Sequence, residues 1–141
     1  MIRSLGRMAD VTAAQMVDLF DRYVSALNGR RRADALAIVA DELDHNGERM
    51  TGAQWWDRHI AANVEALPDY TWTVDEMIPC GERVIVRYTD SGTLSRPWVG
   101  LTSIGAPIRF REYVIYTVHA NRIVTVWSVF DHWALAGQDS R

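Results

Sequence analysis

The sequence predicts an α+β fold, with about three N-terminal helices ahead of an antiparallel sheet and packed on one of its faces. Two observations lead there. Apolar residues recur at helical spacing as far as Pro68, and from Asp69 onward the period changes to two. The last two apolar runs are also long enough to be core strands and are separated by a two-residue turn, Ala120-Asn121.

Met16, Leu19, Phe20, Tyr23, Val24 and Leu27 form the stripe of a first helix over residues 12–28, with Thr12 and Gln15 as a capping box and Asn28-Gly29 as the stop. After the basic turn Arg30-Arg31-Arg32, a short second helix is expected from Ala33 to Glu42, with Leu36, Val39 and Ala40 on one face. Leu43 to Gly47 then reads as a short polar run. The third helix starts at Thr51, again with a box partner at Gln54. It carries Trp56, Ile60, Val64 and Leu67 until Pro68 ends it.

Tyr70, Trp72 and Val74 alternate with Thr71, Thr73 and Asp75, as Val84, Val86 and Tyr88 do with Ile85, Arg87 and Thr89, and each run reads as a strand. Pro79 to Glu82 is the turn between them. Ser91 to Pro107 holds three glycines and two prolines and reads as a long connection or broken strand. Two strands close the chain, Ile108–Val118 and Arg122–Asp131. Both faces of that hairpin are apolar, which implies helices on one side and a second copy of the chain on the other, hence a homodimer through the sheet.

The 141 residues suit a single domain, with residues 1–10 as a flexible arm. A net charge of -3 and a pI near 5.7 argue against a nucleic-acid groove. No apolar stretch approaches the ~20 residues of a membrane span. One cysteine, Cys80, excludes an internal disulfide and fits a cytoplasmic location. Neither metal-ligand spacing nor a GxSxG or phosphate-binding glycine loop occurs, so no metal or cofactor is expected.

The candidate chemistry lies at the chain's end. In a two-residue period Ile123, Thr125, Trp127, Val129 and Asp131 share one face, so a carboxylate closes a largely apolar row, the pattern of a pocket-facing acid or base. The plainer reading is an Asp past the strand end that caps the last turn. Folding about Ala120-Asn121 sets Val118 across from Ile123, Val114 across from Trp127 and Glu112 across from Val129, making Glu112 and Asp131 diagonal neighbours ~7–8 Å apart. A one-residue slip would turn Glu112 away. His45, between Asp44 and Asn46, is a candidate base at a pocket rim. His59 lies among Trp55, Trp56 and Ile60. Aromatic residues including Trp56, Trp98, Trp127 and Tyr116, with Val129, offer walls for a hydrophobic small-molecule substrate.

The segments LDHNGERMTG, LPDYTWTVDEMIPCGERVIVRYTDSGT, VGLTSIGAPIRFREYVIYTVHANRIVTVWSVFD and the closing DHWAL, in that order and spacing, resemble the SnoaL-like polyketide cyclase (ester cyclase) family of the nuclear-transport-factor-2-like superfamily. The resemblance implies a cone, a curved antiparallel sheet wrapped by three helices around a deep apolar pocket, and commonly a dimer. It further implies a cofactor-independent aldol-type cyclisation or isomerisation of an aromatic or polyketide-like carbonyl compound, with Asp131 as acid/base and His45 in the pocket. Thr125-Val126 and Ala120-Asn121 depart from the family pattern, which has a charged pair and an Asp-Gly turn there. Epoxide-hydrolase-like water addition, with Arg87 or Arg111 bridging two carboxylates, and a non-catalytic binding or dimerisation module are the alternatives.

Overall fold

Both capping boxes form. In the computed structural model, which describes residues 12–139, Thr12 Oγ1 accepts the Gln15 N–H at 3.1 Å and the Gln15 side chain accepts the Thr12 N–H at 2.8 Å. They open α1 (Ala13–Asn28), whose predicted stripe from Met16 to Leu27 is buried. The arm expected at residues 1–10 lies outside the described residues. The Asn28 side chain ties the end of α1 to the sheet, donating to the Trp72 carbonyl and accepting the Trp72 N–H, each at 2.8 Å.

The second helix, α2, is only Arg32–Ile38. Instead of continuing to Glu42, the chain turns into strand β1 (Val39–His45) and returns as β2 (Glu48–Thr51). Val39 and Leu43 are buried in β1, so the tertiary sheet overrode a helical spacing that Leu36, Val39 and Ala40 also satisfied. Asn46 and Gly47 both have positive φ, 51° and 86°. An Asn-Gly pair is the favoured two-residue hairpin turn, and it marks what had read as a polar run between helices.

Helix α3 follows from the Thr51 cap in three parts: a first turn Gly52–Trp55, a π-helical stretch Trp56–Ala61 and a last turn Ala62–Ala66. Then come β3 (Thr71–Cys80), β4 (Arg83–Thr93), β5 (Pro107–His119) and β6 (Arg122–Phe130), and a fourth helix, α4 (His132–Asp139), which the apolar spacing had not indicated. The six strands form one open sheet in the order β2-β1-β6-β5-β4-β3. It is mixed rather than wholly antiparallel, because β1 lies parallel to β6.

The β5–β6 turn has the expected conformation, with φ of 50° at Ala120 and 62° at Asn121. The register beyond it does not. Val118 faces Ile123 as predicted, but the next pair is Thr117 with Thr125, which leaves Val124 as an extra residue on β6. That β-bulge shifts every later pair by one: Glu112 faces Phe130 and Val114 faces Ser128. Past the bulge, Val126, Ser128 and Phe130 turn inward, while Trp127 and Val129 turn out and are 53% and 60% exposed.

Candidate active site

The inner faces of β5 and β6 meet α1, α3 and the start of β3 around a cavity of about 50 Å³. Tyr23 of α1, His45 at the end of β1, Trp55, His59 and Asn63 of α3, Tyr70 and Trp72 at β3, Glu112, Val114 and Tyr116 of β5, and Val126 and Ser128 of β6 line it, with Leu27 and Ile60. More than half of these side chains carry a polar group. The π-helical turn inserts an extra residue into α3, and such turns often mark working sites. Here it holds His59 with its ring stacked on His45, centroids 3.6 Å apart and planes 12° apart.

Glu112 is the carboxylate in the wall. Ser128 donates its hydroxyl to Glu112 Oε2 at 2.6 Å. A second carboxyl, Asp90, lies behind the lining and is fully buried. Its Oδ2 accepts the Tyr70 hydroxyl at 2.7 Å, and once protonated the carboxyl can donate to Glu112. Burial, reinforced by the negative charge of Glu112, pushes the Asp90 carboxyl up to about 10, so it holds a proton near neutral pH. Burial and the same Glu112 charge also raise the phenols of Tyr23, Tyr70, Tyr88 and Tyr116. The Tyr88 and Tyr116 hydroxyls share a hydrogen bond of 2.7 Å.

The two imidazoles shift in the opposite sense for the same reason. Burial, with His59 beside it, holds His45 down to about 4, and burial lowers His59. Both are therefore neutral near pH 7, each with one N–H to donate and one nitrogen to accept.

Of the predicted site residues, the structure brings together Glu112, His45, His59 and Tyr116. Trp56 is buried against Trp55, with ring centroids 6.2 Å apart, but the cavity wall is Trp55. Trp98 lies just beyond: its Nε1 donates to Asn63 Oδ1 at 3.0 Å and its ring stacks on Phe130 at 6.1 Å. Three expectations are corrected by the Val124 bulge. Trp127 and Val129 face outward, and the interior position expected of Asp131 is not found. Asp131 is exposed, and its Oδ1 accepts the Ala134 N–H at 3.0 Å, capping α4.

Asp90 was missed although a signal existed. The inward row Val84, Val86, Tyr88 continues to Asp90 at the same period, so a carboxyl occupied a core position in the sequence. Tyr23, Asn63, Tyr70 and Ser128 carried no such mark, since tyrosines fill cores and serine and asparagine are common in loops. Arg87 does bridge two carboxylates, Asp75 at 3.5 Å and Glu76 at 3.7 Å, yet away from the cavity; no arginine lines the cavity. Among the described residues no three His, Cys, Asp or Glu side chains gather to hold a metal ion, and no helix is long and apolar enough to cross a membrane. A wider groove of about 1130 Å³ runs along α1 and α2, but there Arg22 pairs with Asp18 and Arg31 with Asp34.

Helices over one face of an open mixed sheet, with Glu112 in the cavity wall and a buried Asp90 behind it, make a fold of the ketosteroid-isomerase-like kind. A protein with a ketosteroid-isomerase-like fold from Catenulispora acidiphila, solved in complex with trimethylamine, superposes with a TM-score of 0.68 at 13% identity over 86% of this chain and 92% of its own. A SnoaL-like polyketide cyclase from Agrobacterium tumefaciens gives a TM-score of 0.81 at 24% identity, over 86% of this chain and 94% of that one. TsrD from Streptomyces laurentii gives 0.82 at 19%, over 92% and 98%. These are likenesses of fold. The model of the SnoaL-like polyketide cyclase family matches residues 17–138, and the chain belongs to that family. No curated protein matches it. Membership supports a cyclase- or isomerase-type role.

Proposed function

We propose that the chain is an acid–base cyclase or isomerase acting on an aromatic or polyketide-like carbonyl compound, with Glu112 as the base that takes the proton α to the carbonyl. The observation that carries this reading is the pairing of Glu112, in the cavity wall, with a protonated Asp90 behind it. A carboxyl that keeps its proton beside a second carboxyl in the cavity wall is an arrangement that acid–base chemistry uses. A protonated Asp90 can reverse its hydrogen bond with Tyr70, donating to the phenol oxygen and freeing the phenol O–H for the developing enolate. The neutral His45 and His59 supply further N–H donors to that oxygen. Glu112 then returns its proton to the product alkoxide or carbon, so side chains handle both proton movements and this reading calls on no cofactor. Asp131, capping α4 in solvent, takes no part.

A cavity of about 50 Å³ admits only the reacting end of such a substrate. The remainder lies toward Trp98, Phe130 and His132, whose rings pack one on the next beyond Asn63. The outer face completes the reading. Ile78, Ile85, Ile115 and Trp127 are neighbours across four strands, with Tyr113 and Val129 beside them, all exposed. An apolar row of that extent supports a homodimer through the sheet.

Deuterium exchange at the α-carbon of small 1,3-diketones in heavy water, followed by NMR, tests the chemistry. Catalysed exchange that disappears in Glu112→Gln and falls in Tyr70→Phe is expected; undiminished exchange in a folded Glu112→Gln ends the proposal.

A further inference from the structure

The cavity holds a carboxylate and nothing positive to meet it. No arginine lines it, and among the described residues neither Glu112 nor Asp90 enters an ion pair. His45 and His59 are held neutral by burial. Around Glu112 the wall is built of rings, those of Tyr23, Trp55, Tyr70, Trp72 and Tyr116. Ring faces attract cations, and a carboxylate without an ion-pair partner attracts them as well.

We propose that this cavity binds a small alkylated ammonium group, its charge against Glu112 and its methyls against the rings. Size agrees: about 50 Å³ corresponds to roughly four water-sized positions, the bulk of a nitrogen with three or four methyl groups. The wall points to alkylation, since the rings of Tyr23, Trp55, Tyr70, Trp72 and Tyr116 offer methyl groups apolar surface to lie against. A bare metal cation fits poorly, since hard cations take six or more oxygen ligands and one carboxylate stands in the wall. Trp72 already accepts one cation from outside the lining: the Arg30 guanidinium sits 5.8 Å from its ring centroid, while donating to the carbonyls of Leu27, Pro68 and Tyr70.

The inference stands on the charge and shape of the cavity and holds whether or not Glu112 transfers a proton. Titration calorimetry with tetramethylammonium chloride, against tert-butanol as an uncharged probe with as many heavy atoms, decides it at fixed ionic strength. Saturable tetramethylammonium binding at least ten-fold tighter than tert-butanol is expected, weakened ten-fold or more in Glu112→Gln and largely retained in Glu112→Asp. The selectivity between the two probes is read on the unaltered chain, so it does not depend on how a variant folds. Equal affinities, no binding, or unchanged binding in a folded Glu112→Gln overturns the inference. If tetramethylammonium fails to bind while Glu112→Gln still loses deuterium exchange, the ammonium site falls and the proton-transfer reading stands; binding without any exchange activity separates them the other way.

Discussion

Each face of the β4–β5–β6 sheet departs at one patch from the distribution that stability alone favours. Inward, among Val84, Val86, Val114 and Val126, lie Asp90, Glu112 and Ser128; outward, beside Arg83 and Arg111, lie Ile85, Ile115, Trp127 and Val129. Burying carboxyls carries a desolvation penalty of several kcal/mol unless they are neutralised or paired, and the protonated state of Asp90 is the visible sign of it. Exposing isoleucine and tryptophan forgoes about 25 cal/mol per Å² of burial. Each patch is what the proposed reading requires, a substrate's reacting end inside and a second copy of the chain outside.

The strongest test of the inner face is Glu112→Gln. It keeps the shape and the bond to Ser128 but removes the base, and loss of a positioned general base lowers rate by about 10²–10⁴-fold. α-Carbon exchange should therefore fall to background while circular dichroism stays unchanged. Inserting one alanine after Thr125 attacks the origin of the comparison, the Val124 bulge, since a further residue in the ladder would turn Trp127 and Val129 inward and Val126 and Ser128 outward. A loss of several kcal/mol, or no folded protein, is expected in urea denaturation, whereas Val124→Thr, which keeps the residue count, should be nearly neutral.

That bulge also explains how far the sequence could be read. Helix starts were legible because capping boxes are local chemistry, and the Ala120-Asn121 turn was legible because residues that tolerate positive φ mark it. The strand position of Glu112 followed from period alone, whereas His45, at the end of β1, had read as part of a polar run between helices. The facing of Trp127, Val129 and Asp131 did not, because one extra residue in a ladder leaves no mark on composition yet turns every later side chain over. Asp90 was legible in principle, in step with Val84, Val86 and Tyr88, but lay one residue beyond the expected end of its strand.

On the outer face, Ile115→Arg together with Trp127→Arg should turn a dimer into a monomer in sedimentation velocity while leaving each chain folded, since both side chains already face solvent within one chain. A chain that is monomeric before substitution would leave the apolar row without a partner and break the symmetry of the comparison.

The inner face also sets the pH range of stability, with a different group on each limb. The Asp90 carboxyl is raised from its ordinary value to about 10. Its contribution is therefore complete below about pH 4 and is lost progressively as pH rises toward 10. His45 is lowered to about 4, so its contribution is complete above about pH 6.5 and is lost as pH falls through 4. Melting temperature followed from pH 4 to 10 should decline less on the alkaline side in Asp90→Asn and less on the acid side in His45→Gln. Identical profiles would mean that neither group is as desolvated as its surroundings imply.

The smallest expected effect belongs to the residue the sequence made most prominent. Asp131 closes an apolar row in the sequence, but in the fold it stands past the end of β6, exposed, with its carboxylate on the Ala134 N–H. An N-cap of this kind is worth about 0.5–2 kcal/mol to its helix, and α4 contributes one deeply buried side chain, Leu135, to the core. Asp131→Ala should loosen α4, seen as faster amide exchange over residues 134–138, with a fall in melting temperature of a few degrees at most. It should leave α-carbon exchange intact. If Asp131→Ala instead abolished exchange as Glu112→Gln is expected to, the chemistry would have to reach the mouth of the sheet, where His132 packs on Phe130 at 4.3 Å, and the inner face would be a scaffold rather than the site.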